Sequence, residues 1–246
     1  GRGHYQKALA AMDLMHSIHN LFGVSICYNS KNYLTVTSDD FLDMLIDKGC
    51  VFAWYFHYMP VGVNADTSLL LDPEQRKYMY DKVREIRGLD GGKELFAIDF
   101  QNDGEFVHGC VAGGERYCHI NANGDVEPCV FIHYSGANVN QQPLLDCLRQ
   151  PLFLAYKKGQ PFNDNMLRPC PMLENPEILQ KLVKETGARS TDLEAPETAE
   201  HLCGKCVEYA REWAPMADKL WAESHPESHI ENRPENASAD ASDSQA

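Results

Sequence analysis

Cysteine is the residue whose number and spacing in this sequence could support chemistry. The chain of 246 residues contains Cys27, Cys50, Cys110, Cys118, Cys129, Cys147, Cys170, Cys203 and Cys206. No secretion signal is visible, so we expect a cytoplasmic protein, in which disulfides explain so many thiols poorly. Thiolates brought to one point hold zinc or iron–sulfur clusters. Because seven of the nine cysteines follow residue 109, the sequence predicts a metal centre in its C-terminal half.

The surroundings of each cysteine separate candidate ligands from core residues. Cys129 follows Pro128 directly after a predicted hairpin, and Cys170 lies between two prolines, so both are held in rigid loops. Cys203 and Cys206 form a CxxC pair, predicted at a helix start where backbone N–H groups would stabilise thiolates. The five candidates for the four positions of one site are Cys110, Cys129, Cys170, Cys203 and Cys206. Their spacing does not distinguish zinc from an iron–sulfur cluster.

The other cysteines are predicted to be part of the hydrophobic core. Cys147 lies in a helical pattern, and Cys27 and Cys50 lie in or beside predicted strands, where cysteine behaves as a small apolar residue. Cys118 is a sixth candidate ligand, although the alternation of its hairpin strand favours an inward, core position.

Helical and strand patterns alternate up to residue 100. The predicted helices are residues 5–19, 37–49 and 71–88, and the predicted strands are residues 22–29, 50–62 and 94–100. Ser38 or Thr37 is expected to cap the second helix, and Asp72 with Pro73 to begin the third. The strands are continuous apolar runs, which is typical of a parallel sheet covered by helices. The fold class is therefore predicted to be α/β.

The pattern changes after residue 100. A hairpin is predicted around Asn123-Gly124, with later helices at residues 144–156, 176–186 and 203–221. From residue 223 the chain is acidic and lacks aromatic residues, which predicts disorder. The predicted divisions are residues 1–100, residues 101–222, and a tail of residues 223–246.

Charge and hydropathy restrict the possible partners. The formal net charge is −14 and basic residues are scattered, which argues against binding to a nucleic acid backbone. No apolar run approaches the roughly 18 residues of a membrane span, so no membrane partner is expected.

The cysteine spacing resembles that of a known enzyme family. Cys110, thirteen residues, Gly124, four residues and Cys129 resemble the opening of the SPASM/twitch signature of radical S-adenosylmethionine (SAM) enzymes. The segments "GRGHYQKALAAMDLM", "GVSICYN", "TSDDFLDMLIDKG" and "FAWYFHYMPVG" are similar to the last helices and strands of the partial (β/α) barrel in that family. The resemblance covers about residues 1–206.

The resemblance implies a fold and a chemistry. Residues 1–100 would be the C-terminal portion of the barrel, and residues 101–222 a small α+β cysteine-rich domain with an auxiliary [4Fe–4S] cluster. The complete protein would bind S-adenosylmethionine and abstract a hydrogen atom through a 5′-deoxyadenosyl radical. Its substrate would be a peptide, a protein or a small molecule, and its reductant a protein such as flavodoxin or ferredoxin.

Two departures from the family pattern shape this expectation. The sequence contains no CxxxCxxC, the loop that holds the catalytic cluster of the family, and it has no initiator Met. We therefore expect an N-terminally truncated chain. The full SPASM signature continues with CxxC, five residues, Cys, three residues and Cys, whereas this sequence has only Cys170 and then the pair Cys203 and Cys206. That difference favours one auxiliary cluster over two.

The resemblance also suggests cofactor and catalytic residues. Tyr58, Met59 and Pro60 lie where the adenine contacts of the family arise, although a strand end packed on the core explains them equally well. Asp99 and Asp103 follow a strand end and are candidate proton acceptors, although Asp103 also suits a turn. Two alternatives stay open, an iron–sulfur electron-transfer or binding module without SAM chemistry and a zinc-stabilised structural domain.

Overall fold

The computed structural model describes residues 3–88 and 92–226. Its helices are α1 (His4–Ser17), α2 (Asp39–Asp47), α3 (Pro73–Ile86), α4 (Leu144–Cys147), α5 (Pro151–Gly159), α6 (Pro176–Thr186), α7 (Ala199–Gly204) and α8 (Val207–Ser224). Its strands are β1 (Gly23–Tyr28), β2 (Phe52–His57), β3 (Phe96–Asp99), β4 (His119–Ile120), β5 (Val126–Glu127), β6 (Tyr134–Ser135) and β7 (Arg189–Ser190). The predicted tail begins within α8, and from residue 227 it lies outside the described residues.

The first three strands form a parallel sheet in the order β1-β2-β3. This arrangement confirms the prediction of a parallel sheet from continuous apolar runs. One face is buried against α2 and α3 through residues such as Ala53, Tyr55 and Ala97. The opposite face carries Trp54 and Phe96, which are substantially exposed.

The open face of the sheet corrects one prediction. Cys27 was expected to be a buried apolar residue, but it is exposed. In the β1–β2 register Cys27 pairs with Phe56, whose ring lines the cleft on the open face. Cys50, by contrast, is buried as predicted.

Local sequence signals place the helices that cover the sheet. The Ser38 side chain accepts a hydrogen bond of 3.3 Å from the Phe41 N–H at the start of α2. At the start of α3, Asp72 and Gln75 form a reciprocal capping box ahead of Pro73. These caps fix where α2 and α3 begin, as the sequence predicted.

The C-terminal part is built on short hairpins and helices. Strands β4 and β5 pair antiparallel on either side of the Asn-Gly turn. Gly124 has φ +86°, a conformation that L side chains rarely adopt, and its N–H donates to the Asn121 carbonyl oxygen at 3.0 Å. The turn therefore returns the chain so that Cys129 leaves β5 beside the loop of Cys110.

Two predicted helices are each divided in two. The helix predicted at residues 144–156 consists of α4 and α5, because Pro151 lacks an N–H and begins a new helix instead of continuing the first. The helix predicted at residues 203–221 consists of α7 and α8. Cys203 consequently lies in the last turn of α7, and Cys206 is the N-cap of α8.

A second core joins the helices of the C-terminal part to the sheet unit. It contains Trp213 of α8, Tyr156 of α5 and Met172, and it reaches Met59 and Tyr80 of the N-terminal part. The cysteine loops lie against this core. Within residues 3–88 and 92–226, none of the helices has the length and apolar character required to cross a membrane.

Candidate metal centre

Three of the predicted ligands line the same cleft. Cys110, Cys129 and Cys170 come from three separate segments and face a cleft of about 680 Å³ next to the open face of the sheet. All three are partly buried. The side chains that share this cleft are mainly aromatic and aliphatic, among them Trp54, Phe100 and others of the sheet face.

Cys110 is held by one side chain of the segment that follows α5. Its N–H donates to Gln160 Oε1 at 3.3 Å, and Gln160 Nε2 donates to the Cys110 carbonyl oxygen at 2.6 Å. Gln160 thus bonds both backbone groups of Cys110 and fixes the orientation of the loop.

Cys129 is held by the hairpin and by a tyrosine. The N–H of Gly113 donates to the Pro128 carbonyl oxygen at 2.9 Å, which ties the Cys110 loop to the residue before Cys129. The Ile132 N–H donates to the Cys129 carbonyl oxygen at 3.0 Å. The Tyr117 hydroxyl lies 3.0 Å from Cys129 Sγ.

Cys170 lies in the turn that leads into α6. The N–H groups of Met172 and Leu173 both point at its Sγ, each at 3.4 Å. Such donors favour the negatively charged thiolate, the form that binds metals. The Cys170 N–H in turn donates to Glu174 Oε2 at 2.8 Å.

A buried ion pair supports the Cys170 turn from behind. Glu174 Oε1 lies 2.6 Å from Arg76 Nη1, and both side chains are completely buried. Arg76 also donates to Tyr209, and Tyr209 lies 3.2 Å from His57 Nε2. A continuous buried network therefore links the Cys170 turn to the C-terminal end of β2.

The other two predicted ligands are placed differently. Cys203 lines a second cleft of about 690 Å³ together with Arg168 and Glu177. Cys206 is fully buried, and its Sγ donates to the Leu202 carbonyl oxygen at 3.8 Å. Among the described residues, no group of three or more Cys, His, Asp or Glu side chains has an arrangement that could hold a metal ion. The five-cysteine site stays a prediction, of which the structure groups three members.

The raised pKa values of the three thiols indicate that they need a cation in order to lose their protons. Burial, followed by the charge of Cys129, raises the pKa of Cys110 to about 12. Burial also raises the pKa of Cys129, and burial with the charge of Glu174 raises that of Cys170 well above its usual value. Three neighbouring thiols in this setting hold their protons unless a cation offsets the negative charge.

The donor chemistry fits a thiolate-bound metal centre. Sulfur is the donor type preferred by iron–sulfur clusters and is equally acceptable to zinc. One buried polar atom next to the cysteine loops, the Tyr156 hydroxyl, has no hydrogen-bond partner among the described residues. A bound sulfur-rich group would provide the acceptor that this hydroxyl lacks.

The predicted catalytic aspartates are engaged in structural contacts. Asp99 is completely buried and accepts bonds from Tyr28 and Asn102, and its pKa is raised to about 6 by burial and by Asp103. Asp103 forms a two-oxygen ion pair with Arg87, with both distances 2.6 Å. Asp99 is enclosed, whereas Asp103 lines the cleft of the three cysteines while Arg87 holds both of its oxygens. Their role in proton transfer stays a prediction.

The predicted adenine contacts are only partly accessible. Met59 and Pro60 are buried, and Tyr58 is half-buried. Met59 nevertheless reaches the cleft that the three cysteines line.

Sequence patterns did not reveal the residues that support the site. Gln160 is 50 positions from Cys110 and Tyr156 is 43 positions from Gly113, and neither belongs to a recognisable motif. Glu174 is the exception, because it follows Cys170 by one helical turn and could have been suggested as its local partner.

A protein-family model matches the part of the chain that carries the three cysteines. The family model described as "SPASM: Iron-sulfur cluster-binding domain" matches residues 110–172. Neither the curated proteins nor the solved structures with which the chain was compared include a match. The matched range begins at Cys110, contains Cys129 and ends two residues after Cys170. The sequence match thus supports a SPASM-type iron–sulfur domain in the segment that brings the three thiols to one cleft.

Proposed function

We propose that this chain binds one auxiliary [4Fe–4S] cluster and serves as the C-terminal part of a radical SAM enzyme. The observation that carries the proposal is the meeting of Cys110, Cys129 and Cys170 at one cleft. The range matched by the iron–sulfur family model contains the same three residues. When bound, the cluster supplies one-electron chemistry and Lewis-acidic iron.

The chain itself contributes ligation, charge compensation and shielding. Cys110, Cys129 and Cys170 are the proposed ligands, oriented by Gln160, by the Asn-Gly hairpin and by the turn before α6. The N–H groups directed at Cys170 stabilise its thiolate. Aromatic side chains of the sheet face line the same cleft, and an apolar lining influences the reduction potential of a bound cluster.

For the fourth position we propose Cys206. Glu174 accepts a hydrogen bond from the Cys170 N–H, and its charge is among the lesser causes that raise the pKa of Cys206, which supports Cys206 as the fourth ligand. Cys203 borders the other cleft. Burial is the main cause that raises the pKa of Cys206, to about 12, so ligation requires that its proton be released.

The radical SAM part of the proposal rests on the order of the two units. A parallel sheet with covering helices precedes the SPASM-type domain, and the cleft joins the open face of that sheet to the three cysteines. S-adenosylmethionine, a peptide, protein or small-molecule substrate, and a flavodoxin- or ferredoxin-like reductant are proposed for the complete protein, in the cytoplasm. Of the three proposed adenine contacts, Met59 lines the cleft.

Anaerobic reconstitution of serine variants tests the ligand set. Cys170→Ser and Cys206→Ser should lower the iron and sulfide bound per chain, because each removes one proposed ligand. Cys147→Ser should retain full loading, since Cys147 is buried in a separate small core, and Cys203→Ser is the matched control for Cys206→Ser. Full loading of the Cys170→Ser variant would contradict the proposal. Loss of loading in Cys203→Ser alone would reassign the fourth ligand.

A further inference from the structure

Tyr156 is a buried residue with an unexplained polar atom. Its side chain is completely buried in the second core, and its hydroxyl makes no hydrogen bond within the described residues. Buried hydroxyl groups are almost always paired, because an unpaired one loses its hydration without replacement. An unpaired hydroxyl at this position therefore suggests an acceptor that the protein atoms do not supply.

The position of Tyr156 restricts what that acceptor is. Its ring packs over Gly113, where an added Cβ would lie 2.7 Å from Tyr156 Cβ. The Gly113 N–H donates a hydrogen bond to the carbonyl oxygen of Pro128, the residue before Cys129. One helical turn after Tyr156, Gln160 holds both backbone groups of Cys110. Tyr156 thus lies between the loops of two proposed ligands.

The electrostatic surroundings agree with this placement. Burial raises the pKa of Tyr156 well above its usual value, followed by the charges of Cys110, Cys129 and Cys170. Tyr156 therefore keeps its proton, and Cys110, Cys129 and Cys170 all pack against the core that contains it, so its hydroxyl is a hydrogen-bond donor on the side of the cysteine loops.

A second tyrosine reaches the same site. The Tyr117 hydroxyl lies 3.0 Å from Cys129 Sγ. A phenol keeps its proton at neutral pH, so the Tyr117 hydroxyl is also available as a hydrogen-bond donor. Two phenolic donors from different segments, one on α5 and one before β4, therefore meet the cysteine site.

We propose that the Tyr156 and Tyr117 hydroxyls donate hydrogen bonds to the sulfur atoms of the bound cluster and raise its reduction potential. This inference rests on the proposed cluster-binding function and assigns that site its tuning residues. Hydrogen bonds to cluster or ligand sulfur stabilise the more negative, reduced state and so favour reduction. Tyr156 and Tyr117 are positioning residues, since they act on the cluster through its sulfur atoms.

The decisive variant is Tyr156→Phe, because the inference predicts no loss of stability without the cluster and a lower reduction potential with it. In the metal-free protein the hydroxyl is unpaired, so its removal should leave the urea midpoint unchanged or raise it. In the reconstituted protein the variant loses a donor. At the potential where the wild-type cluster is half reduced, the ratio of reduced to oxidised cluster should fall about fivefold, the effect of one neutral hydrogen bond.

Tyr134→Phe is the matched control. Tyr134 is also a buried tyrosine, but its hydroxyl donates to the Glu197 carbonyl oxygen at 3.0 Å. This variant should lower the urea midpoint of the metal-free protein and leave the reduction potential unchanged. Tyr117→Phe should lower the potential in the same direction as Tyr156→Phe.

Three results would overturn the inference, and they are distinguishable. A metal-free Tyr156→Phe protein destabilised as much as Tyr134→Phe would show that the hydroxyl already has a protein partner. A full iron and sulfide content with an unchanged potential would refute the tuning role while leaving cluster binding intact. Absence of iron and sulfide from the wild-type protein would remove the proposed function, and the inference with it.

Discussion

Replacing Glu174 with glutamine should destabilise the metal-free protein by about 3 kcal/mol. Among the described residues, Glu174 is the only carboxylate that forms an ion pair with Arg76, and neither side chain is exposed to solvent. The substitution removes the negative charge while keeping the size and one acceptor oxygen of the side chain. It therefore leaves the Arg76 guanidinium buried without its counter-ion.

The magnitude follows from the bonds that remain. Arg76 Nε donates to Asn102 Oδ1, and Nη2 donates to the carbonyl oxygens of Gln101 and Leu167. Nη1 donates to Tyr209 as well as to Glu174. Breaking a buried pair by removing one partner typically costs about 3–5 kcal/mol. Because four of the five bonds survive the substitution, we expect the lower end of that range.

Urea unfolding of the metal-free protein measures this effect. Glu177→Gln is the matched control, since Glu177 is exposed in the first turn of α6, and it should change the free energy of unfolding by less than about 0.5 kcal/mol. A loss below about 1 kcal/mol for Glu174→Gln would refute the reasoning, because it would mean that water or another group neutralises Arg76.

Two further predictions concern the buried polar network and the loop beneath Tyr156. Burial, followed by Arg76, lowers the pKa of His57 from 6.5 to about 3, and burial raises that of Asp99 from 3.8 to about 6. Between pH 6 and pH 4 the unfolded state holds more protons than the native state at His57, and the native state holds more than the unfolded state at Asp99, so the opposing effects should leave the wild-type stability nearly constant. Asp99→Asn removes the native-state proton uptake and should lose up to about 2 kcal/mol over this range in urea unfolding at stepwise pH; a flat profile for this variant would contradict the assignment. Gly113→Ala should lower the urea midpoint and the cluster loading, since Gly113 has φ +78° and its Cβ would collide with Tyr156. Gly204→Ala, with nothing within 4 Å, should keep or raise the midpoint; equal midpoints for the two variants would refute the collision.

The sheet unit could be predicted because its signals are local. Three signals act over only a few residues: apolar runs, caps such as Asp72, and the prolines that begin helices. The structure has the strands and helix starts that these signals predict. The same reasoning failed where one local signal outweighed another. The pattern of residues 144–156 predicts one helix, but Pro151 starts a new one. The strand pattern predicts a core position for Cys27, but one sheet face of the described chain is open.

The candidate site could be predicted only in part. Cys129 and Cys170 were suggested by their proline neighbours, and the structure places both at the cleft with Cys110. The position of Cys203 on another cleft was not foreseen, because it depends on how α7 and α8 divide. Tyr156 and Arg76 support the site through contacts between distant segments, which periodicity and spacing do not encode.

The most direct test of the central claim is a competitive anaerobic reconstitution of the wild-type chain with iron, sulfide and zinc together. The account predicts iron and sulfide bound in equal amounts, about four of each per chain, with little zinc. One zinc ion per chain without sulfide would contradict it, and would identify the three cysteines as part of a structural zinc site.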